Sequence, residues 1–371
     1  MILQFGTSRF LQAHVDLFAW EAAQAGQDVP DIAIVQVSGD ASRAGRLQAF
    51  NDSAGFPVIV RGLEQGVPVE RRVQVCSVTR GLSASGDWAA LCDLFVDRAT
   101  HIVSNSGDTG YDIGDADRAR NGDGPPRSFC GILLNLLHRR WMAGRPGVTL
   151  LPCELVAANG ATLRKAVRGL AIAQGLETDF IAWLEATCLW VNTLVDRIVS
   201  APLEPAGAVA EPYALWAIER QPALVMPFVH PSVTVVNDLQ RSERLKLHIL
   251  NLGHSWLAEE WAQAGGDRAV TVLSMMQDEA SADRLARLYA DEVVPGFTAM
   301  GWGEHARDYV AMTLDRFANP YLEHRLSDIH AHHPAKVAKR IGAFVDWVDG
   351  SDCHLPMPHL RALAGRYGDI E

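Results

Sequence analysis

Short apolar runs bounded by turn residues, at 2–5, 32–37, 72–78, 101–104 and 148–151, constrain this chain more than any other feature. A further run at 188–195 fits the same description. Between most of them lie stretches with helical periodicity, Leu11–Gln24, Ala41–Phe50 and Phe129–Met142. Continuous apolar strands alternating with amphipathic helices predict an α/β domain with a parallel, doubly wound sheet covered on both faces, which binds ligands beyond the carboxyl ends of its strands. The pattern changes after Asn237. Leu245, Ile249, Leu252 and Trp256, then Leu285, Leu288 and Tyr289, recur at helical spacing, so the C-terminal part is expected to be mostly α-helical. The stretch 201–212, rich in Pro, Ala and Gly, reads as the linker, which sets the expected domains at 1–200 and 201–371.

At 371 residues, 48% of them hydrophobic, the chain is long enough for two such domains. A formal charge of −11 excludes the phosphate-neutralising surface that nonspecific nucleic-acid binding requires. Six cysteines without a C-x-x-C pair suggest neither a disulfide framework nor a structural zinc site, and point to reduced thiols in a cytoplasm. The first strand is expected to begin at Ile2, so no signal peptide is expected ahead of it. No run of eighteen apolar residues suits a membrane span.

Lys246-Leu-His-Ile-Leu-Asn251-Leu-Gly-His254 spaces an amine, an amide and an imidazole within about two turns of one helix, inside an arc of roughly 140°. A lysine can exchange the proton of an alcohol, an asparagine can hold the developing alkoxide and a histidine can orient the same oxygen. That set oxidises alcohols without a metal. Asn159, before Gly160, is the candidate for a second amide donor, with a turn asparagine as the alternative. Gly6-Thr7-Ser8-Arg9-Phe10 joins the first strand to a helix, where backbone amides can meet a pyrophosphate, although it keeps only the first glycine of G-x-G-x-x-G. At the end of the second strand, Asp40 can accept from the ribose 2′-hydroxyl of NAD, or cap the next helix, while Arg43 can meet the 2′-phosphate of NADP. Asp112–Arg127 is a polar loop able to fold over a ligand or to remain a surface excursion. His330, His332 and His333 lack the partners and spacing of a zinc site, so no metal is expected.

The Lys-x4-Asn-x2-His pattern preceded by Glu243 resembles the catalytic helix of the polyol-specific long-chain dehydrogenases, the mannitol dehydrogenase family. Ile2 to His14, His101-Ile-Val-Ser-Asn-Ser106, Leu151-Pro-Cys-Glu-Leu155 with Asn159-Gly160, Asn192-Thr-Leu-Val-Asp-Arg197 and Arg316-Phe-Ala-Asn-Pro-Tyr321 match in family order. The Pro-Cys-Glu-Leu and Asn-Pro-Tyr wording is similar to the branch that reduces keto-uronates, the tagaturonate and fructuronate reductases. The resemblance implies a Rossmann-like first domain, NAD as cofactor with NADP as the alternative, and a small sugar acid or polyol as substrate. Ser104 and Asn105, at the end of a buried strand, carry donors and acceptors suited to the nicotinamide ribose or to a turn, and the resemblance implies the ribose role for Asn105. It implies also that Glu243 relays protons between Lys246 and water, and that Lys336 and Lys339, followed by Arg340, form the substrate-side basic segment. Mannitol-type members carry a basic residue where Asp328 stands here, which leaves open the group that reads the far end of the substrate. A polyol or polyol-phosphate dehydrogenase and a non-catalytic dinucleotide or sugar-acid sensor are the alternatives.

Overall fold

The computed structural model describes residues 1–39, 44–107, 110–119, 124–351, 353 and 355–367. The strands are β1 (Ile2–Phe5), β2 (Ile32–Gln36), β3 (Phe56–Glu64), β4 (Val67–Val75), β5 (Val78–Ser83), β6 (His101–Ser104), β7 (Thr149–Pro152), β8 (Leu189–Trp190), β9 (Thr193–Asp196), β10 (Val199–Pro202), β11 (Ala208–Ala210), β12 (Leu215–Glu219) and β13 (Val233–Val236). Six of them form a parallel sheet in the order β5-β2-β1-β6-β7-β8. Numbered among themselves these run 3-2-1-4-5-6, the doubly wound dinucleotide-binding order, whose strand direction of travel reverses between β1 and β6.

Alternation along each strand supplies both faces. Leu3, Phe5, Ala33 and Val35 pack on one side with the helices Trp88–Arg98, Phe129–Met142 and Asn159–Ala173. Ile2, Ile32 and Ile34 pack on the other with Leu17, Phe18 and the residues Val58, Val60, Ala208, Trp216 and Ile218 of the smaller sheets. Both faces are buried, which is why these strands read as continuous apolar runs. The run 72–78 is not one strand: β4 ends at Val75 and β5 begins at Val78. The β3–β4 hairpin belongs to a four-stranded sheet, β10-β11-β3-β4, and β13-β12-β9 forms a third.

The chain packs into two compact units. The first is Met1–Val60, Arg71–Ala210 and Ala214–Leu239; the second is Arg61–Glu70, Glu211–Tyr213 and Gln240–Glu371. The change therefore falls near residue 240 and not at 200. Residues 201–212, expected as a linker, contain the end of β10 and all of β11, paired to each other and, through β11, to β3. Short strands rich in Ala and Pro carry no alternation that would announce them.

The second unit is helical. Gln240–Leu245, Lys246–Leu250 and Asn251–Gln263 follow one another without a break, and the middle segment is a wider turn whose amides reach back five residues. Its core gathers Ile249, Leu252, Leu257, Leu285, Tyr289, Phe297, Phe317, Ile341 and Phe344. Among the described residues no helix is long and apolar enough to cross a membrane.

Candidate functional site

In the first unit a cleft of about 530 Å³ opens beyond the carboxyl ends of the parallel strands. Gly6, Thr7 and Ser8 after β1, Gln36 to Ser38 at β2 and Asn105 to Gly107 after β6 line it, so it sits where the strand order reverses. Gly6 has φ +119°, and a Cβ there would stand 2.6 Å from the carbonyl oxygen of Asn105. Glycine is required by the close approach of two chain segments. The Thr7 carbonyl accepts from Gln12 Nε2 (3.2 Å) and Arg46 Nη1 (3.0 Å), and Ser8 Oγ caps the next helix by accepting from the Leu11 amide (3.2 Å). Gln12 Oε1 accepts from the Gly207 amide at 2.6 Å. The turn is thus held from three sides before any ligand arrives.

Not all the residues expected at this turn face the cleft. Arg9 donates to Glu204 (2.6 Å) and to the Gly207 carbonyl (3.1 Å), and Phe10 stacks on His14 with centroids 4.7 Å apart. Ser104 is buried and donates to Glu154 Oε2 at 3.0 Å, whereas Asn105 lines the cleft with its Nδ2 donating to the Cys153 carbonyl at 2.9 Å. Asp40 and Arg43 lie outside the described residues. Two cations that the sequence reading did not single out, Arg46 and Arg127, line the cleft.

Asn159 departs from its expected role. It is buried, its Oδ1 accepts from the amides of Gly160 and Thr193 (both 2.9 Å), and its Nδ2 donates to the carbonyls of Pro152 (3.0 Å), Thr193 (3.0 Å) and Glu154 (3.2 Å). An amide has two N–H donors, and both point at main-chain carbonyls. The structure uses Asn159 to join the loop after β7 to β9, which leaves no donor for a substrate oxygen. Asp196 and Arg197 are buried, with Arg197 Nη1 on the Ala13 carbonyl at 2.6 Å.

In the second unit Lys246, Asn251 and His254 lie on the continuous helix. The Asn251 amide reaches the carbonyls of both Lys246 and Leu247. A bond spanning five residues brings Asn251 round toward the face of Lys246, where an α-helix would set them roughly 140° apart. His254 follows Asn251 by three, hence on the same face. Glu243 precedes Lys246 by three residues on the same helix. Tyr289 OH donates to the Ile249 carbonyl inside this turn at 2.9 Å, and a Cβ on Gly253 would meet that hydroxyl at 2.0 Å.

His254 is buried against Phe317 (4.5 Å) and lies edge-on to His324 (4.8 Å). Burial lowers the pKa of His324, opposed by Asp328 and reinforced by Arg316 and Lys336, so these groups surround it. Arg316 is held by Glu211 through bonds of 2.9 and 2.8 Å, both side chains buried.

The expected basic segment divides. Lys336 Nζ donates to the Ile329 carbonyl at 2.7 Å, and burial lowers its pKa. Lys339 is exposed. Arg340 Nη1 donates to the Asn251 carbonyl (3.3 Å) and Ser255 Oγ (3.1 Å), and its own carbonyl meets His248 Nδ1 (2.9 Å), so it braces the catalytic-type helix. Of the histidine run, His333 bonds Glu259 at 3.0 Å and His330 stacks on His333.

A parallel sheet in this order, with its cleft at the reversal and a helix carrying Lys, Asn and His in a second unit, defines a two-part dinucleotide-dependent oxidoreductase. Residues 1–228 match the mannitol dehydrogenase Rossmann domain and residues 238–352 the mannitol dehydrogenase C-terminal domain. The chain belongs to the mannitol dehydrogenase family. Altronate oxidoreductase of Klebsiella pneumoniae subsp. pneumoniae is 30% identical over 368 residues, covering 92% of this chain and 73% of that protein. Altronate oxidoreductase of Bacillus subtilis (strain 168) is 28% identical over 366 residues, covering 91% and 73%. Among solved structures, D-sorbitol dehydrogenase in substrate-free form superposes with TM-score 0.77 at 21% identity, covering 95% of this chain and 77% of that one. Mannitol 2-dehydrogenase of Pseudomonas fluorescens, a ternary complex with NAD and D-mannitol, gives 0.69 at 19%, covering 99% and 84%.

Proposed function

We propose that the chain is a metal-independent, NAD-dependent oxidoreductase that interconverts a secondary alcohol of an open-chain sugar acid with the corresponding ketone, with Lys246 as general acid and base. The observation that carries this reading is the wide helical turn between Lys246 and Asn251, which turns both toward one face, with His254 three residues further on. In reduction Lys246 gives its proton to the carbonyl oxygen; in oxidation it takes the proton of the hydroxyl. Asn251 holds the oxyanion between these states and His254 fixes its position. Each such donor is worth about 3–4 kcal/mol of barrier. Glu243, one turn earlier, exchanges the lysine's proton with water.

The first unit's cleft suits a dinucleotide. Its turn is held open by Gly6, and Arg46 and Arg127 supply positive charge for phosphates while Asn105 offers amide groups toward a ribose. Bound there, a nicotinamide dinucleotide supplies the hydride chemistry. A sugar acid as substrate is supported by the relatives named altronate oxidoreductase and by Lys336, an ammonium with two N–H donors beyond the one given to Ile329.

One observation favours a second reading. Arg340 Nη1 is engaged by the helix, so the basic segment has fewer donors to turn toward a substrate carboxylate than its sequence suggests, which suits a neutral polyol. The purified protein mixed with NADH and a panel of keto-uronates and ketoses decides the matter. Loss of nicotinamide absorbance with a keto-uronate is expected, unaffected by a chelator. No loss with any member would leave a sensor, and activity abolished by chelation and restored by zinc would refute the metal-free mechanism.

A further inference from the structure

Behind the cleft wall, Glu154 is buried, and its carboxylate accepts four hydrogen bonds, all from neutral donors. Oε1 takes the Ser106 amide (3.0 Å) and the Ser106 hydroxyl (2.8 Å); Oε2 takes the Ser104 hydroxyl (3.0 Å) and the Tyr111 hydroxyl (2.9 Å). Among the described residues no lysine or arginine bonds it. A charge buried without a counter-ion is costly, and is tolerated only where every lone pair finds a donor. Burial, followed by the charge of Glu154, pushes the Tyr111 phenol far above its ordinary range and keeps it a donor.

These donors bracket the segment that forms one side of the cleft. Asn105, Ser106, Gly107 and Gly110 line it, and Glu154 grips that segment at Ser104, Ser106 and Tyr111 without lining it. A forked end group with two polar atoms can hold Ser104, Ser106 and Tyr111 at once. The backbone below is also fixed, since the Asn105 amide donates to the Phe5 carbonyl at 2.9 Å and Asn105 Nδ2 to the Cys153 carbonyl at 2.9 Å.

We infer that Glu154 is a positioning residue for the cofactor: by hydrogen-bond acceptance it sets the Asn105–Ser106 wall in the shape that the dinucleotide meets. The inference rests on the cofactor reading above. A carboxamide can reproduce the network. Its oxygen takes the two Ser106 donors, and its NH₂ donates to the Ser104 and Tyr111 hydroxyls, which rotate to accept.

The test is the dissociation constant of NADH measured by calorimetry on the purified full chain, with the Michaelis constant of the sugar-acid substrate as a second readout. Glu154→Ala should weaken NADH about tenfold or more, whereas Glu154→Gln should stay within about threefold of wild type. The substrate constant should stay within about twofold in both, because the wall serves the cofactor. A folded Glu154→Ala protein with wild-type NADH affinity overturns the inference. So does a Glu154→Gln protein as weak as Glu154→Ala, since charge and not acceptance would then be the agent. Should the alanine variant not fold, Ser106→Ala combined with Tyr111→Phe removes two of the four donor contacts, both hydroxyls, while leaving the acid buried, and unchanged affinity there is equally fatal. Absence of NADH binding by the wild type would sink the cofactor reading itself, whereas wild-type binding with unaltered variants sinks only the role of Glu154.

Discussion

Around the cleft of the first unit, Gln12, Glu154 and Asn159 turn inward and bond main-chain groups, so the polar residues shape a cavity. Along the central helix of the second unit, Lys246, Asn251 and His254 share one face, and it is main-chain bonding in the helix that arranges them. The first region is a backbone site supported by side chains; the second is a side-chain site supported by backbone. Substitutions should therefore act differently in the two: loss of folding or affinity in the first, loss of turnover in the second.

The largest effect is expected in the second region. Lys246→Ala should lose about 10²–10⁴-fold in turnover while NADH affinity, by calorimetry, is unchanged. Near-normal turnover would break the contrast at its strongest point. Next is Asn159→Ala, which orphans the buried amides of Gly160 and Thr193 at about 1–3 kcal/mol each. Urea titration should show a lower midpoint with an unchanged slope, while any protein that remains folded keeps most of its turnover. A large fall in turnover without loss of stability would return Asn159 to the reacting oxygen.

Asp16 gives a smaller, pH-dependent effect. It is fully buried with Gln4 Nε2 at 3.3 Å, and burial raises its pKa to about 8, the Gln4 bond acting the other way. Between roughly pH 4, where the unfolded carboxyl ionises, and about 8, the folded state keeps a proton that the unfolded state has released. Stability falls as pH rises through that window and levels off above it. Asp16→Asn should remove the slope, so its advantage in urea midpoint over wild type grows from pH 5 to pH 8; a parallel pair of curves would show the carboxyl to be ionised in the fold. The smallest effect concerns substrate charge: with Lys336 and Lys339 attracting a sugar acid, its Michaelis constant should rise modestly with added salt. Comparable turnover of mannitol and altronate would favour the neutral-polyol reading.

Much of this contrast was legible in advance. The parallel strands announce themselves because both faces of the sheet are apolar, and Lys246, Asn251 and His254 because three polar residues interrupt an apolar helix. Residues 201–212 read as a linker because β10 and β11 are short and their small residues carry no period. Asn159 and Arg340 were given to the substrate because residue type does not reveal which way an amide or guanidinium points; both bond main chain instead. Glu154 stood inside the matched Pro-Cys-Glu-Leu segment without a role, since its donors are brought to it by the pairing of β6 with β7 and by Tyr111, distant in sequence. Arg46 had no signal beyond its place in the helix after β2.

The wide turn at Lys246–Leu250 contains one residue more than an α-helix would need to cover the same rise. The alignment of lysine and amide is thus written in chain length, independently of which residues fill the turn. Straightened to ordinary α-helical pitch at its full length, the segment would swing the two ends about 140° apart, whereas with a single residue removed the pair would stand four positions apart, on one face of an α-helix. A one-residue gap in this segment of a relative would therefore leave the pair on one face of a plain α-helix with no wide turn needed.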